Sequence, residues 1–147
     1  MKNLRILFLI CCTITVFGIT NAQSSEVEIQ NIIDRFNTEV PAEPGCNYRE
    51  YLLEDCIFSV TLECKGNEFK MSFNLNDIER MYKDKADMED NFDTLFFVCN
   101  NGNNCISSNS DMIPPSPIFP IRLPNYKYST LGDDAIEVLS SILGNCN

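Results

Sequence analysis

Histidine and tryptophan are both absent from this chain of 147 residues. The missing His removes the commonest general base and the commonest metal ligand. The missing Trp removes the broadest stacking platform for sugars. No G-x-S-x-G or S-x-x-K motif occurs, so nucleophilic catalysis lacks its usual parts. No C-x-x-C pair occurs either, which makes a zinc site a poor use of the cysteines. Basic residues are scarce as well. With 11 Lys and Arg against 21 Asp and Glu, the net charge is −10. Such a chain repels phosphate backbones and anionic lipid heads, so nucleic-acid and membrane-surface partners are disfavoured.

Long apolar runs are confined to the start. Lys2 and Arg5 precede an almost wholly apolar stretch from Ile6 to Ile19, which leads into Thr20-Asn21-Ala22-Gln23 with small residues placed for cleavage. This is the order of a secretory signal, and the stretch is shorter than the ~20 residues of a membrane-spanning helix. Cys11 and Cys12 lack the small preceding residue of a lipid-attachment site. The expectation is a signal peptide over 1–22 and one exported domain over 23–147, secreted or held in the periplasm or at the cell surface, with no membrane insertion after cleavage. Loss of Lys2 and Arg5 leaves nine basic against 21 acidic side chains, a net charge of −12.

Six cysteines follow the leader: Cys46, Cys56, Cys64, Cys99, Cys105 and Cys146. In an exported chain an even count reads as disulfides. Cys99 and Cys105 flank Asn100-Asn101-Gly102-Asn103-Asn104, residues that tolerate positive φ, and should pair across a hairpin end. Cys56, Phe58, Val60, Leu62 and Cys64 alternate with polar positions like a strand, which sets the two cysteines roughly 26 Å apart, against the ~7 Å Cα separation a disulfide allows. Cys56 and Cys64 must therefore reach Cys46 and Cys146, in one order or the other. The shorter loop favours Cys46–Cys56 with Cys64–Cys146.

Along the chain, Ser25-x-x-Glu28 reads as a capping box, and Ile29, Ile32, Ile33, Phe36 and Val40 form the apolar stripe of a helix stopped by Pro41. Residues 41–52 read as a loop. A strand over 55–64, a turn at Lys65-Gly66-Asn67 and a second strand with Phe69, Met71, Phe73 and Leu75 on one face make a hairpin. Asn74 or Asn76 would cap a short helical turn carrying Ile78, Met81 and Tyr82. Thr94 to Cys99 reads as a central strand covered on both faces, and Ile118 to Leu123 as an edge strand tolerating Pro120. Thr130-x-x-Asp133 opens a final helix with the stripe Ala135, Leu139, Ile142 and Leu143, stopped by Gly144. The fold class expected is α+β: a small antiparallel sheet of hairpins packed by an N-terminal and a C-terminal helix, stabilised by disulfides.

Four features bear on chemistry. Asp87, Glu89, Asn91 and Asp93 alternate like the first ligands of a calcium loop, but Phe92 stands where Gly is needed and Val98 where the bidentate Glu is needed. A solvated charged turn is the simpler reading. Chance pairs of carboxylates among 21 acids carry no signal for glycosidase chemistry. Pro114-Pro115-Ser116-Pro117 could present a polyproline ligand, or stiffen the approach of Ile118 to a sheet edge; the second reading is favoured. Asn100, Asn101, Gly102, Asn103 and Asn104 form a constrained projection suited to partner contact.

The strand with Cys56, the run Phe96-Phe97-Val98-Cys99 then Gly102-x-x-Cys105-Ile106, and Asp133-Asp134-Ala135-Ile136-x-Val138-Leu139 leading to Cys146 together resemble uncharacterised exported domains of Bacteroidota. The leader end Asn21-Ala22-Gln23 is similar to theirs. The resemblance spans roughly residues 53 to 146. It implies a small antiparallel sheet closed by a C-terminal helix, somewhat like a pleckstrin-homology fold, and implies no activity. The function expected is a non-catalytic secreted interaction domain without a cofactor, acting on an unidentified protein partner. The alternative is an acidic inhibitor or immunity-type protein that blocks a basic extracytoplasmic enzyme.

Overall fold

The computed structural model describes residues 26–84, 92–124 and 129–146. The leader and the capping residue Ser25 lie outside them, as do Asp87, Glu89 and Asn91 of the acidic connector.

The first helix, α1, covers residues 26–39 and ends before Pro41. Its stripe works as the spacing requires: Ile32, Ile33, Phe36 and Val40 are buried. Strands β1 (Cys46–Glu54), β2 (Ile57–Cys64) and β3 (Asn67–Asn74) follow, each antiparallel to the next. Two-residue turns join them. Asp55 and Cys56 both have positive φ, as do Lys65 and Gly66, the requirement of the turn that matches strand twist. Cys56 thus belongs to a turn, and the strand expected from residue 55 starts at Ile57.

The loop expected over 41–52 is corrected from Cys46 onward. β1 is an edge strand with one buried residue, Tyr51, so its apolar signal is thin. Its free edge is covered by an asparagine amide: Asn37 Nδ2 donates to the Tyr51 carbonyl (2.9 Å), and the Tyr51 N–H donates to Asn37 Oδ1 (2.7 Å). α1 thereby supplies the pairing that a neighbouring strand would make.

Asn74 does cap a short turn, Leu75–Asp77, accepting from Asn76 N–H. Ile78, Met81 and Tyr82, however, lie on strand β4 (Ile78–Asp84), not on a helix. A bulge between Ile78 and Arg80 inserts one residue, which puts Ile78 and Met81 on the same face. That extra residue gives a strand the spacing of a helix.

β5 (Phe92–Cys99) is central, between β4 and β7 (Ile118–Pro124), as expected of both. Its second face is only half covered: Leu95, Phe97 and Cys99 are buried, whereas Thr94, Phe96 and Val98 are half-exposed. Because β7 fills its second edge, the chain cannot turn back on β5 as a hairpin after Cys99. It crosses instead to the first sheet, where β6 (Ser107–Ser108) pairs with β3. The strands therefore form two antiparallel sheets rather than one, in the orders β1-β2-β3-β6 and β4-β5-β7.

The sheets meet through Phe58 and Phe73 of the first and Phe97 and Phe119 of the second, with ring centroids 5.1 to 6.3 Å apart. Phe36 of α1 joins this cluster through Tyr51 and Phe58. The last helix, α2 (Leu131–Ser140), buries Leu131, Gly132, Ala135 and Leu139. Thr130 stands at its N-cap, but its hydroxyl donates to Asp134, not Asp133 (2.5 Å); Asp133 instead pairs with Lys83 of β4 (2.6 Å). The helix ends at Ser140, short of Gly144, where the Ser141 hydroxyl takes the Val138 carbonyl. Ile142 and Leu143 pack beyond the helix, partly buried. Among the described residues the architecture is α+β, with antiparallel sheets, two helices and three disulfides.

The disulfides correct both bridges of the favoured order and take the other order left open for Cys46, Cys56, Cys64 and Cys146. Cys99–Cys105 forms as expected, but the others are Cys46–Cys64 and Cys56–Cys146. Once 46–54 is a strand, register decides: Cys46 lies directly opposite Cys64. Cys56, in the turn at the other end of the hairpin, is left for Cys146. Asn76 seats that bridge, donating to the Cys146 carbonyl (3.0 Å) and accepting its N–H (3.1 Å).

Candidate functional site

The inner face of the first sheet is built of cross-strand rows. Leu53, Phe58 and Phe73 make the row that packs into the aromatic cluster. The next row is Tyr51, Val60, Met71 and Ser108, and the one beyond begins with Arg49, Leu62 and Phe69. Tyr51, Val60, Met71 and Ser108, with Arg49 and Leu62 beyond them, all face one open space. The residues facing them come from Ile106, from Ile113, Pro114 and Ser116, and from the start of β7. The result is a cleft of about 350 Å³. Its size falls within the range of small-molecule sites, and its lining is mainly apolar, as theirs is.

The proline-rich segment is a wall of this cleft. Ser116 forms a bridge with Ile106, and its hydroxyl both donates to the Ile118 carbonyl (2.8 Å) and accepts the Ile118 N–H (3.2 Å). The Cys99–Cys105 disulfide ends one residue before Ile106, so it anchors the same wall.

Arg49 is the cation of the site. Its side chain points inward with Tyr51 and Leu53, because residues two apart share a strand face. Both terminal nitrogens donate to carbonyls at the end of α1, those of Val40 and Pro41. The end of a helix leaves carbonyls without partners and carries partial negative charge, so a guanidinium is favoured there. The guanidinium carbon also lies 5.2 Å from the Tyr51 ring centroid. Arg49 Nε is left over: among the described residues it is the buried side-chain polar atom without a hydrogen-bond partner. Glu43 lines the same cleft. Burial pushes the Tyr51 hydroxyl up to about 12, with Arg49 opposing and Glu43 adding to the shift.

The expected site residues are placed elsewhere. Asn101, Gly102, Asn103 and Asn104 are exposed and Asn100 is half-exposed; none lines the cleft. Asn100–Gly102 forms a short helical turn, with Asn101 and Gly102 at positive φ. Asn100 Nδ2 donates to the Asn76 carbonyl (3.1 Å), and Asn101 N–H donates to Glu79 (3.4 Å). The loop is thus held by Glu79 of β4 and by the turn before that strand, as well as by its disulfide. Of the calcium candidates only Asp93 is described; it lies on β5 opposite Leu123. Among the described residues no group of His, Cys, Asp or Glu is arranged to hold a metal, and no helix is long and apolar enough to cross a membrane.

Sequence reasoning missed Arg49, Tyr51 and the whole cleft. The one available signal was the alternation Arg49, Tyr51, Leu53, hidden because an Arg on an inward face does not read as a core position. Comparison with protein-family models, curated proteins and solved structures yields no match.

Proposed function

We propose that this protein is a non-catalytic exported binding domain whose ligand enters the cleft between the first sheet and the proline-rich wall. The observation that carries this reading is the cleft itself: a concave, preformed space of about 350 Å³ bordered by Tyr51 and Phe119 of the aromatic core. Its ionisable lining side chains are Glu43, Arg49 and Tyr51. Arg49 is engaged with two backbone carbonyls, and Tyr51 holds its proton far above neutrality. Such groups orient a ligand better than they transfer its protons. Three disulfides support export, as does the resemblance to exported Bacteroidota domains.

The test is titration of the oxidised protein with an environment-sensitive apolar dye. Saturable one-to-one binding, abolished by Met71→Trp with the fold retained by circular dichroism, is expected. Equal dye binding by the variant removes the reading. A second reading, that Asn100–Asn104 contacts a protein partner, is favoured by the rigidity of that exposed loop. Replacing the loop residues with Ser while keeping both cysteines should then abolish capture of a specific partner without altering dye binding.

A further inference from the structure

A second surface lies apart from the cleft, at the outer edge of β4, where among the described residues no strand pairs. We propose that this edge joins the same edge of a second copy of the chain, antiparallel and centred on Tyr82, so that two three-stranded sheets become one.

The backbone makes the edge available. Cys99 N–H donates to the Pro117 carbonyl (2.9 Å), so the odd-numbered residues of β5 turn their backbone groups toward β7. Thr94, Phe96 and Val98 turn theirs toward β4, where they meet Asp84, Tyr82 and Arg80. The alternate residues of β4, Met81 and Lys83, are left with N–H and C=O directed outward, and among the described residues nothing takes them. Pro120, opposite Phe96, keeps the same phase, because a proline nitrogen is tolerated on the unpaired side of an edge strand.

The side chains choose the partner and the register. Arg80, Tyr82 and Asp84 are exposed on one face of β4. Tyr82 stacks on Phe96 at 5.0 Å between centroids, with the Arg80 guanidinium 5.6 Å from the Tyr82 ring. Among the described residues neither Arg80 nor Asp84 forms an ion pair. Four residues apart on one strand, they stand about 13 Å from each other, too far to pair. In a twofold arrangement about Tyr82, Arg80 of each copy falls opposite Asp84 of the other, and Tyr82 opposite Tyr82. These are the positions where cross-strand side chains come closest. Met81 then faces Lys83, the two residues with free backbone groups, so they exchange hydrogen bonds. Moving the centre to Lys83 sets Lys against Lys, and moving it to Met81 sets Asp84 against Ile78. The inward Lys83 and the bulge between Ile78 and Arg80 discourage unrelated strands from the same edge.

The experiment is sedimentation equilibrium of the oxidised protein as exported, at about 10 to 500 µM, the range of a weak contact made by one short strand per copy. The native protein should form a dimer and nothing larger. Arg80→Asp sets acid against acid, and Asp84→Arg sets base against base. Each should weaken self-association about tenfold or more, since two symmetric pairs change sign. Asp84→Arg also lowers the net acidity, so a weaker dimer there does not come from overall repulsion. Mixing the two variants should restore a heterodimer, because each supplies the charge the other lacks. Both positions are exposed, and circular dichroism and dye binding in the cleft should stay unchanged. A native protein that is monomeric throughout overturns the inference. A dimer that both variants leave intact places the contact on another face and overturns it too, as does a mixture that stays monomeric. Assembly beyond the dimer overturns it as well, because pairing consumes the β4 edge. None of these outcomes touches the reading of the cleft, which stands or falls on the dye.

Discussion

One sheet serves two ends of this molecule differently. Toward the helices, the row Leu53–Phe58–Phe73 meets Phe97 and Phe119, and α1 and α2 close the space, joined by Arg35 and Asp134 at 2.6 Å. Toward the other end, the rows of Tyr51 and Arg49 touch the last turns of α1 but also face a loop and the start of β7, and a cleft remains. The strands are continuous through both, so the difference lies in what stands opposite. Stability is concentrated where side chains interlock, and binding capacity where a loop and the start of β7 leave space opposite the first sheet.

The largest expected effect sharpens that contrast directly. Phe58→Ala should cost about 4 kcal/mol in denaturant unfolding, because Phe58 is fully buried and meets five other rings. Met71→Ala, two strand positions along the paired rows, should cost only about 1 kcal/mol, since space already lies beside it. Equal losses would break the distinction between the ends.

The disulfides divide in the same way. Replacing Cys56 and Cys146 by Ser should cost about 4 kcal/mol, since that bridge spans 90 residues. Replacing Cys99 and Cys105 should cost about 2 kcal/mol, for a span of 6, yet should disturb the cleft more because it frees the wall at Ile106. Melting curves and dye binding on both double variants separate the two effects.

Tyr51 sits at the boundary and should report on it through alkaline unfolding. Its pKa is raised from 10.0 to about 12, mainly by burial, so the protonated form is favoured in the fold. The resulting stability is fully present below pH 10 and lost as pH rises toward about 12, amounting to about 2–3 kcal/mol. Tyr51→Phe should flatten that limb.

The smallest effect belongs to the helix end. The Thr130 hydroxyl, and then Arg35, hold the Asp134 carboxyl below its ordinary range. Its contribution is present above the usual Asp pKa and lost as pH falls through the depressed value. Asp134→Asn should reduce acid sensitivity by no more than about 0.5 kcal/mol, since the pair is screened by solvent.

Much of the closed end was legible before the structure. Ile32, Ile33 and Phe36 recur at helical intervals, Phe58 and Val60 alternate, and Lys65-Gly66 is turn chemistry; each signal is local and so survives in a linear reading. The open end was not legible. β1 buries one residue and is covered by the Asn37 amide, so neither its composition nor its pairing shows along the chain. β4 carries a bulge that mimics helical spacing. The cysteine pairing failed for the same reason as β1, because the shorter-loop rule holds only if 46–54 is irregular.

What the amino-acid order determined alone is a set of short-range preferences: two amphipathic helices, a hairpin with its turn, an edge strand tolerant of Pro120, and a cysteine pair closed over an Asn-Gly loop. Tertiary structure decided which cysteine faces Cys46, which sheet receives Ser107 and Ser108, and that Arg49, Met71 and Pro114 share one cleft. Those outcomes depend on register and on which segments come to stand opposite the first sheet, quantities set by the packing of distant segments that no local pattern encodes.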